Sequence, residues 1–234
     1  MFGGGASGSA GWRGSGSTEA APDIGAGSAP ATTTGELSFL TGSVSGATST
    51  TWSLVSGPGS ATFGNAALPT TSVSFSQPGT YILKLAATNP NAEVSRSISI
   101  NVTANPAYFA DWQSVTWPGL TNLETIGPNM DPDQDGISNL LEWALSLDAK
   151  ISDSFKPVLS VNGGNIQYTY SRRKTAPGEA NFQVLWSDTL QDDWSGDNVS
   201  GETLISETTT TRTVRVSVPF TSDRRFIRVM VSKP

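Results

Sequence analysis

A short acidic stretch, residues 131–142, constrains the fold of this chain more than any other feature of its sequence. It reads D-P-D-Q-D-G-I-S-N-L-L-E, which fits the D-x-D-x-D-G-x5-E pattern of a calcium loop that opens a helix. Ca²⁺ is a hard cation that takes about six to eight oxygen ligands. The pattern therefore predicts a cation site at this place, and the alternative is an acidic turn that only faces water.

The predicted ligands follow the positions of such a loop. They are the side chains of Asp131, Asp133, Asp135, Asn139 and Glu142 and the backbone carbonyl of Ile137. Gly136 supplies the sharp bend that a side chain would block. Asn139 stands at a position that often acts through a water molecule, and Glu142 closes the shell with both carboxylate oxygens.

Composition excludes several classes of site. The chain has no cysteine and no histidine, which removes disulfides, thiolate metal sites, Ser-His-Asp triads and ordinary zinc sites. The net charge is −6, and residues 105–156 alone carry a net −6. A field of that sign repels phosphates, so nucleic-acid binding is not expected. No apolar run reaches the ~18–20 residues of a membrane span.

Only carboxylate chemistry remains for an enzyme. Asp192 and Asp193 stand beside Trp194, but a glycosidase holds two carboxylates across a cleft, about 5 to 9.5 Å apart. Adjacent side chains of a strand point to opposite faces, so this pair fits a turn better than a cleft. We predict that the chain is not an enzyme.

The remaining sequence predicts a mainly β fold of two antiparallel β-sandwich-like domains joined by a short helical calcium-loop segment. Residues 1–33 are rich in Gly, Ser and Ala, with the lone aromatic Trp12, and predict a flexible linker. The other predicted regions are an immunoglobulin-like β-sandwich over 34–104, the helical segment over 105–156 and an antiparallel β domain over 157–234.

The spacing of apolar residues supports this division of the chain. Tyr81, Leu83 and Leu85 alternate along one predicted strand, as do Ile98, Ile100 and Val102 along the next. In the C-terminal region the predicted buried faces alternate in the same way, and they include Ile166, Tyr168, Tyr170, Phe182, Val184, Trp186, Val214, Val216 and Val218. Between the two regions, Thr121 to Glu124 predicts a capping box and residues 138–147 an apolar helix.

The first β region resembles the PKD-like, immunoglobulin-type modules of bacterial extracellular proteins. The matching residues are W-x-x-V-S-G-P-G at 52–59, G-T-Y at 79–81 and L-x-A-T-N at 85–89. The resemblance implies a spacer or adhesion unit. It leaves Trp52 and Tyr81 as core and corner residues rather than ligand contacts.

Residues 130–148 resemble the calcium-binding tail segment of exported proteins from Verrucomicrobia and Planctomycetes. The motif D-P-D-x-D-G-x-S-N-L-L-E-[YW]-A-L carries the resemblance, with Trp143 where Tyr is frequent and Ser146 where Gly is usual. It is also similar to thrombospondin type 3 and dockerin repeats, although dockerins carry two loops and this sequence has one. The resemblance implies a calcium ion as the bound group and no activity to transfer.

These observations predict a non-catalytic, calcium-binding C-terminal region of an exported or cell-surface protein, part of a longer chain, that acts as a calcium-rigidified spacer. Its expected partners are calcium and an extracellular glycan or cell-surface protein. One alternative is a carbohydrate-binding module that uses Tyr168, Tyr170, Trp186 or Trp194. Another is a secretion signal in residues 157–234. The basic clusters Arg172 to Lys174 and Arg224-Arg225 are predicted to be solvated hairpin ends, with binding of acidic polysaccharide or docking onto the acidic loop segment as the alternatives.

Overall fold

A computed structural model describes residues 20–234, which fall into two compact units. Unit 1 runs through Thr32 and resumes over Glu36–Val102, and unit 2 holds Thr33–Gly35 and Thr103–Pro234. The fold is mainly β, which confirms the predicted class. Residues 1–19 of the predicted linker, including Trp12, lie outside the described residues. Within residues 20–234, every helix is too short or too polar to cross a bilayer.

Unit 1 is a sandwich of two four-stranded sheets. Its strands are β1 (Asp23–Ala26), β2 (Thr32–Thr33), β3 (Ser38–Ser45), β4 (Ser49–Ser56), β5 (Ala61–Phe63), β6 (Thr70–Phe75), β7 (Gly79–Asn89) and β8 (Ala92–Thr103). One sheet has the order β1-β3-β6-β5 and the other β2-β8-β7-β4. The strands β2 and β8 each end one residue inside unit 2.

The core of unit 1 is filled from alternate positions of its strands, because successive side chains of a strand point to opposite faces. In β7, Tyr81, Leu83 and Leu85 are fully buried, as the alternation predicts. Both sheets contribute to this core, whose buried members are Ile24, Leu40, Trp52, Val73, Phe75, Tyr81, Leu83, Leu85, Ala87, Ile100 and Val102.

Trp52 and Tyr81 are core and corner residues, as predicted. Trp52 donates from Nε1 to the carbonyl of Pro69 over 2.9 Å. The hydroxyl of Tyr81 donates to the carbonyl of Gln77 over 2.9 Å, four residues back along the chain. Gly57 lies against the Tyr81 ring so closely that a Cβ would collide with it. Both rings are therefore buried in the core of unit 1, where their polar atoms bond to the backbone.

The predicted linker over residues 1–33 is wrong where it includes β1 and β2. The strand β1 pairs with β3 in antiparallel register, and Ile24 is buried in the core of unit 1. The carbonyl of Ala20 accepts a hydrogen bond from Nδ2 of Asn89 at 2.7 Å. Composition failed here because pairing at a sheet edge satisfies the backbone groups of a strand whatever its side chains.

Unit 2 combines three short helices with six strands. The helices are α1 (Phe109–Thr116), α2 (Leu123–Ile126) and α3 (Asn139–Leu145). The strands are β9 (Val158–Asn162), β10 (Asn165–Arg173), β11 (Asn181–Ser187), β12 (Thr203–Glu207), β13 (Thr211–Pro219) and β14 (Phe226–Ser232). They form a four-stranded sheet in the order β12-β13-β10-β9 and a two-stranded sheet of β11 and β14, with antiparallel pairings throughout.

Two hydrophobic cores fill unit 2, and both join helices to strands. In the first, the ring of Phe109 lies 5.5 Å from that of Trp112 and 5.4 Å from that of Trp143, and Phe182 of β11 packs against the cluster. In the second, Leu145 of α3 packs with the predicted strand faces, whose buried members are Ile166, Tyr168, Tyr170, Val184, Val214, Val216 and Val218.

The shared cores change the predicted division of this half of the chain. The sequence separates a helical segment, residues 105–156, from a β domain, residues 157–234, whereas the structure places both in unit 2. The physical reason is the size of the helices, since α3 has only seven residues and gains its stability from packing rather than from its own hydrogen bonds. The acidic loop consequently belongs to a packed unit rather than to a connector.

Candidate metal centre

The acidic loop lies between α2 and α3, and backbone hydrogen bonds draw its two ends together. The amide of Asn139 donates to the carbonyl of Met130 over 2.8 Å, and that of Leu140 donates to Pro128 over 3.0 Å. The start of the loop and the start of α3 are therefore held together by the protein backbone.

The helix that precedes the loop begins one residue later than its sequence signature indicates. The N-cap of α2 is Asn122, whose side chain accepts from the amide of Glu124 over 2.9 Å. The predicted capping box started at Thr121. Asparagine is an N-cap residue at least as good as threonine, and two candidates stood side by side.

Three of the predicted ligands converge. One oxygen from each of Asp131, Asp133 and Asp135 lies within 4.8 Å of the others. Asp131 accepts from the amides of Asp135 and Gly136 over 3.2 and 2.9 Å. Gly136 has a φ of 90°, a left-handed conformation that costs glycine little and other residues more. Next along the chain, the amide of Ile137 donates to Oδ1 of Asp135 over 2.8 Å.

Glu142 is the most unusual group of the site. It is 0% exposed, and among the described residues neither of its carboxylate oxygens has a hydrogen-bond partner. Burial, followed by the carboxylates of Asp133, Asp135, Asp153 and Asp131 in that order, raises the pKa of Glu142 to about 8. A buried carboxylate among like charges is expensive unless a cation joins it.

Two more predicted ligands have enclosed oxygens without partners in residues 20–234, Oδ2 of Asp133 and Oδ1 of Asn139. Burial, with the neighbouring Asp135 carboxylate as the second cause, raises the pKa of Asp133. The amide group of Asn139 donates to the carbonyls of Thr125 and Gly127 over 3.0 and 2.9 Å. This side chain therefore ties the loop to the end of α2, a role that the loop pattern does not predict.

Asp153 is a residue of this region that the sequence motif misses. It follows Glu142 by eleven residues, outside the loop. Its amide donates to Oδ2 of Asp135 over 3.1 Å, and its Oδ1 is enclosed without a partner among the described residues. The only signal in the sequence is the general concentration of acids between 105 and 156.

The donor set fits a hard cation. Every candidate ligand offers oxygen, and the unpartnered enclosed oxygens are those of Asp133, Asn139, Glu142 and Asp153. The four ion pairs of the described residues involve other carboxylates, so no Lys or Arg is paired with the loop. Residues that could hold Ca²⁺ are Asp131, Asp133, Asp135, Asn139 and Glu142, with the carbonyl of Ile137.

The aromatic residues proposed for carbohydrate binding do not form an open platform. Tyr168 and Tyr170 are both 3% exposed in the core of unit 2. The guanidinium of Arg225 covers the ring of Trp186 at 3.7 Å from its centroid, and that of Arg228 covers Trp194 at 4.1 Å. A sugar site on Tyr168 and Tyr170 is therefore wrong, because strand periodicity marks a buried face and cannot distinguish it from a binding face, and one ring face of each tryptophan is taken by an arginine.

Arginines predicted to face water are also committed to protein contacts. Arg172 makes an ion pair with Glu202 at 2.6 Å, and Arg225 makes one with Asp188 at 3.0 Å. Asp192 and Asp193 lie outside the strands, with a bend at Asp192, and Asp193 accepts from the hydroxyls of Ser187 and Thr189 over 2.6 and 2.9 Å.

Comparison with known families adds to this geometry. Residues 22–102 match the PKD domain family. PKD domains are typical of extracellular proteins and are typically non-catalytic, and unit 1, which holds the matched residues, is similar to a PKD module. The matched range begins within the segment that composition assigned to a linker.

Solved structures show distant similarity. The D0-D1 domain of Intimin matches over 91% of this chain and 91% of its own, with 11% identity and a TM-score of 0.27. The titin I-band fragment I67-I69 matches over 91% of this chain and 61% of its own, with 13% identity and a TM-score of 0.23. An endo-fucoidan hydrolase of glycoside hydrolase family 107 matches over 91% of this chain but 33% of its own, with 13% identity and a TM-score of 0.27. A comparison with curated proteins gives no match.

Proposed function

We propose that this chain is a non-catalytic, calcium-binding part of an exported or cell-surface protein. The PKD module acts as a spacer or adhesion unit, and the cation rigidifies unit 2. Extracellular calcium modules of this class work at weak affinity, about 10⁻⁴ to 10⁻³ M, because calcium outside cells is abundant.

Glu142 carries the proposal. A fully enclosed carboxyl group without a hydrogen-bond partner among the described residues is costly in any protonation state, and here four other carboxylates influence it. A divalent cation removes both costs at once, since it pairs with the charge and coordinates the oxygens. Hydrogen bonds within the loop satisfy Asp131 but leave Glu142 without such a partner.

The number and type of donors favour Ca²⁺ over Mg²⁺. Mg²⁺ requires near-octahedral geometry at about 2.0–2.1 Å and usually keeps several water molecules. A loop that offers aspartates at alternating positions and both oxygens of a glutamate suits the larger and more tolerant shell of Ca²⁺.

Calcium binding and local order are coupled in this proposal. Without a cation, repulsion among Asp131, Asp133, Asp135 and Glu142 opposes closure of the loop onto α3. Because the whole loop lies in unit 2, the cation stabilises unit 2 itself. The amino-acid sequence instead predicts that the loop lies in a segment that joins two β domains.

Terbium luminescence excited through tryptophan tests the proposal. Tb³⁺ prefers oxygen ligands as Ca²⁺ does, and we expect a saturable signal that calcium displaces. Asp133→Asn should weaken it at least tenfold, whereas Asp223→Asn, the same charge change at an exposed residue, should not. A wild-type protein without saturable signal, or equal signals from both variants, contradicts calcium binding at the loop.

A secretion-signal role for residues 157–234 stays a prediction. Deleting those residues alone is a poor test, because their strands share both hydrophobic cores with the helices. A reporter fused with and without all of residues 103–234 compares secretion without leaving half of a packed unit behind.

A further inference from the structure

Asp153 lies in the segment that connects α3 to β9, outside the acidic loop. Its two carboxylate oxygens have different surroundings. The oxygen Oδ2 accepts from the amide of Asp148 over 3.3 Å. The oxygen Oδ1 is shielded from solvent and has no hydrogen-bond partner among residues 20–234. One side of the carboxylate is therefore held in place while the other is left open.

The open oxygen belongs to the same surroundings as the loop carboxylates. The amide of Asp153 donates to Oδ2 of Asp135 over 3.1 Å, which fixes the two residues against each other. The charge of Asp153 also acts on the buried carboxyl of Glu142. An ion pair with Lys or Arg would compensate the charge of Asp153. None of the four ion pairs among the described residues includes Asp153.

We propose that Asp153 is a ligand of the loop cation, through Oδ1, supplied from beyond the helix that the loop opens. This inference rests on the proposed calcium site and adds to it a residue that the loop pattern lacks. The position of Oδ1, unpartnered and enclosed beside the loop, carries the assignment together with Glu142, which is fully buried and also unpartnered.

The consequence is a clamp within unit 2. Two residues after Asp153, the ring of Phe155 packs edge-on against that of Tyr170 at 6.3 Å between centroids. A cation held by the loop and by Asp153 therefore joins the start of α3 to the segment that enters the four-stranded sheet through β9. Calcium would order the residues on both sides of α3 rather than the loop alone.

Calorimetric titration of Ca²⁺ into the full chain tests the assignment with graded variants. Asp153→Asn keeps the shape and a neutral oxygen, and Asp153→Ala removes the ligand. We expect the Kd to rise in the order wild type, Asp153→Asn, Asp153→Ala, by about tenfold or more at the last step. Asp223→Asn is the matched control, because Asp223 is exposed and lies between β13 and β14, away from Asp153 in the chain.

Europium luminescence lifetimes in H₂O and D₂O give a second readout that a purely structural role would not move. Loss of one protein ligand should admit about one additional metal-bound water in Asp153→Ala. Wild-type protein that binds no cation would overturn the calcium site and this inference together. Wild-type binding with unchanged Kd and unchanged water count in Asp153→Ala would overturn this inference alone.

Discussion

Arg173 donates from Nε to the backbone carbonyl of Trp143 over 2.7 Å, so a side chain of β10 caps the final turn of α3. The last carbonyls of a helix lack intrahelical partners, and a guanidinium satisfies one while complementing the helix dipole. This bond is one physical link between the helix of the acidic loop and the four-stranded sheet. Burial lowers the pKa of Arg173, in keeping with an interior position.

We expect Arg173→Ala to lower the free energy of unfolding of unit 2 by about 2 kcal/mol, because a charged hydrogen bond is lost and the carbonyl of Trp143 keeps only the 3.3 Å bond from the amide of Ser146. Arg215→Ala is the control, since Arg215 is exposed and contacts a threonine hydroxyl on the same sheet. Urea unfolding followed by tryptophan fluorescence measures both. Equal effects of the two substitutions would show that the cap contributes nothing specific.

Ser146 ends α3 in the left-handed conformation, with φ 59° and ψ 41°. A residue with a Cβ is strained there, and glycine is the usual solution. We therefore expect Ser146→Gly to stabilise unit 2 by about 1 kcal/mol.

Ser152→Gly is the matched control, because Ser152 is also exposed but does not have a positive φ. Glycine at position 152 only increases the freedom of the unfolded chain, so this variant should be neutral or slightly less stable. Thermal unfolding of both variants separates the two effects. A Ser146→Gly protein that melts at a lower temperature than wild type would contradict the strain.

The ionisation of Asp188 makes the free energy of unfolding depend on pH in the acid range. Hydrogen bonds from Arg225 and then from Ser222 lower the pKa of Asp188 below its usual value. A carboxyl group with a lowered folded-state pKa contributes stability above its unfolded pKa of about 3.9 and loses it as pH falls through the folded value. Wild type should therefore lose its advantage over Asp188→Asn below about pH 4.

Unfolding by urea at pH 7 and in acid, for wild type, Asp188→Asn and the exposed-site variant Asp223→Asn, measures that difference. The gap between wild type and Asp188→Asn should narrow at low pH, and Asp223→Asn should follow wild type throughout. If the difference in unfolding free energy between wild type and Asp188→Asn stays constant with pH, the pKa of Asp188 does not change on folding, which contradicts the prediction.

Local patterns carried most of what the sequence predicted correctly. The convergence of Asp131, Asp133 and Asp135 depends on twelve consecutive residues and a glycine bend, so the chain itself encodes it. The alternating faces of β7, β10 and β13 are equally local, because the period of a strand is fixed by its backbone. The coordination of calcium by this loop stays a prediction.

The features that the sequence did not predict all depend on contacts between residues that are far apart in the chain. The strand β1 is held by β3, which its own composition does not reveal. Asp153 approaches Asp135 across eighteen residues, and no loop spacing encodes that return. The sequence predicts Arg172 and Arg225 as solvated charges, because it does not show that Glu202 and Asp188 pair with them. Tyr168 and Tyr170 are buried because Leu145 of α3 and Val184 of β11, which lie outside their sheet, belong to the same hydrophobic core.

Glu142→Gln separates the cost of the buried carboxyl from its function. Glutamine has the same shape without the ionisable group, so at about pH 7 the metal-free variant should be at least as stable as metal-free wild type, because the raised pKa of Glu142 costs stability above its unfolded pKa. Calcium should raise the melting temperature of wild type and leave Glu142→Gln nearly unchanged, because a bidentate ligand has been lost. A calcium-induced shift of equal size in both proteins would contradict the role of Glu142.

Calorimetric titration of calcium into chelator-treated wild-type protein, with Glu142→Gln alongside, measures the cation site most directly. We predict about one site per chain with a Kd of about 10⁻⁴ to 10⁻³ M, and at least tenfold weaker binding in Glu142→Gln. No binding heat up to concentrations well above that range, or the same Kd in both proteins, would contradict a calcium site built around Glu142.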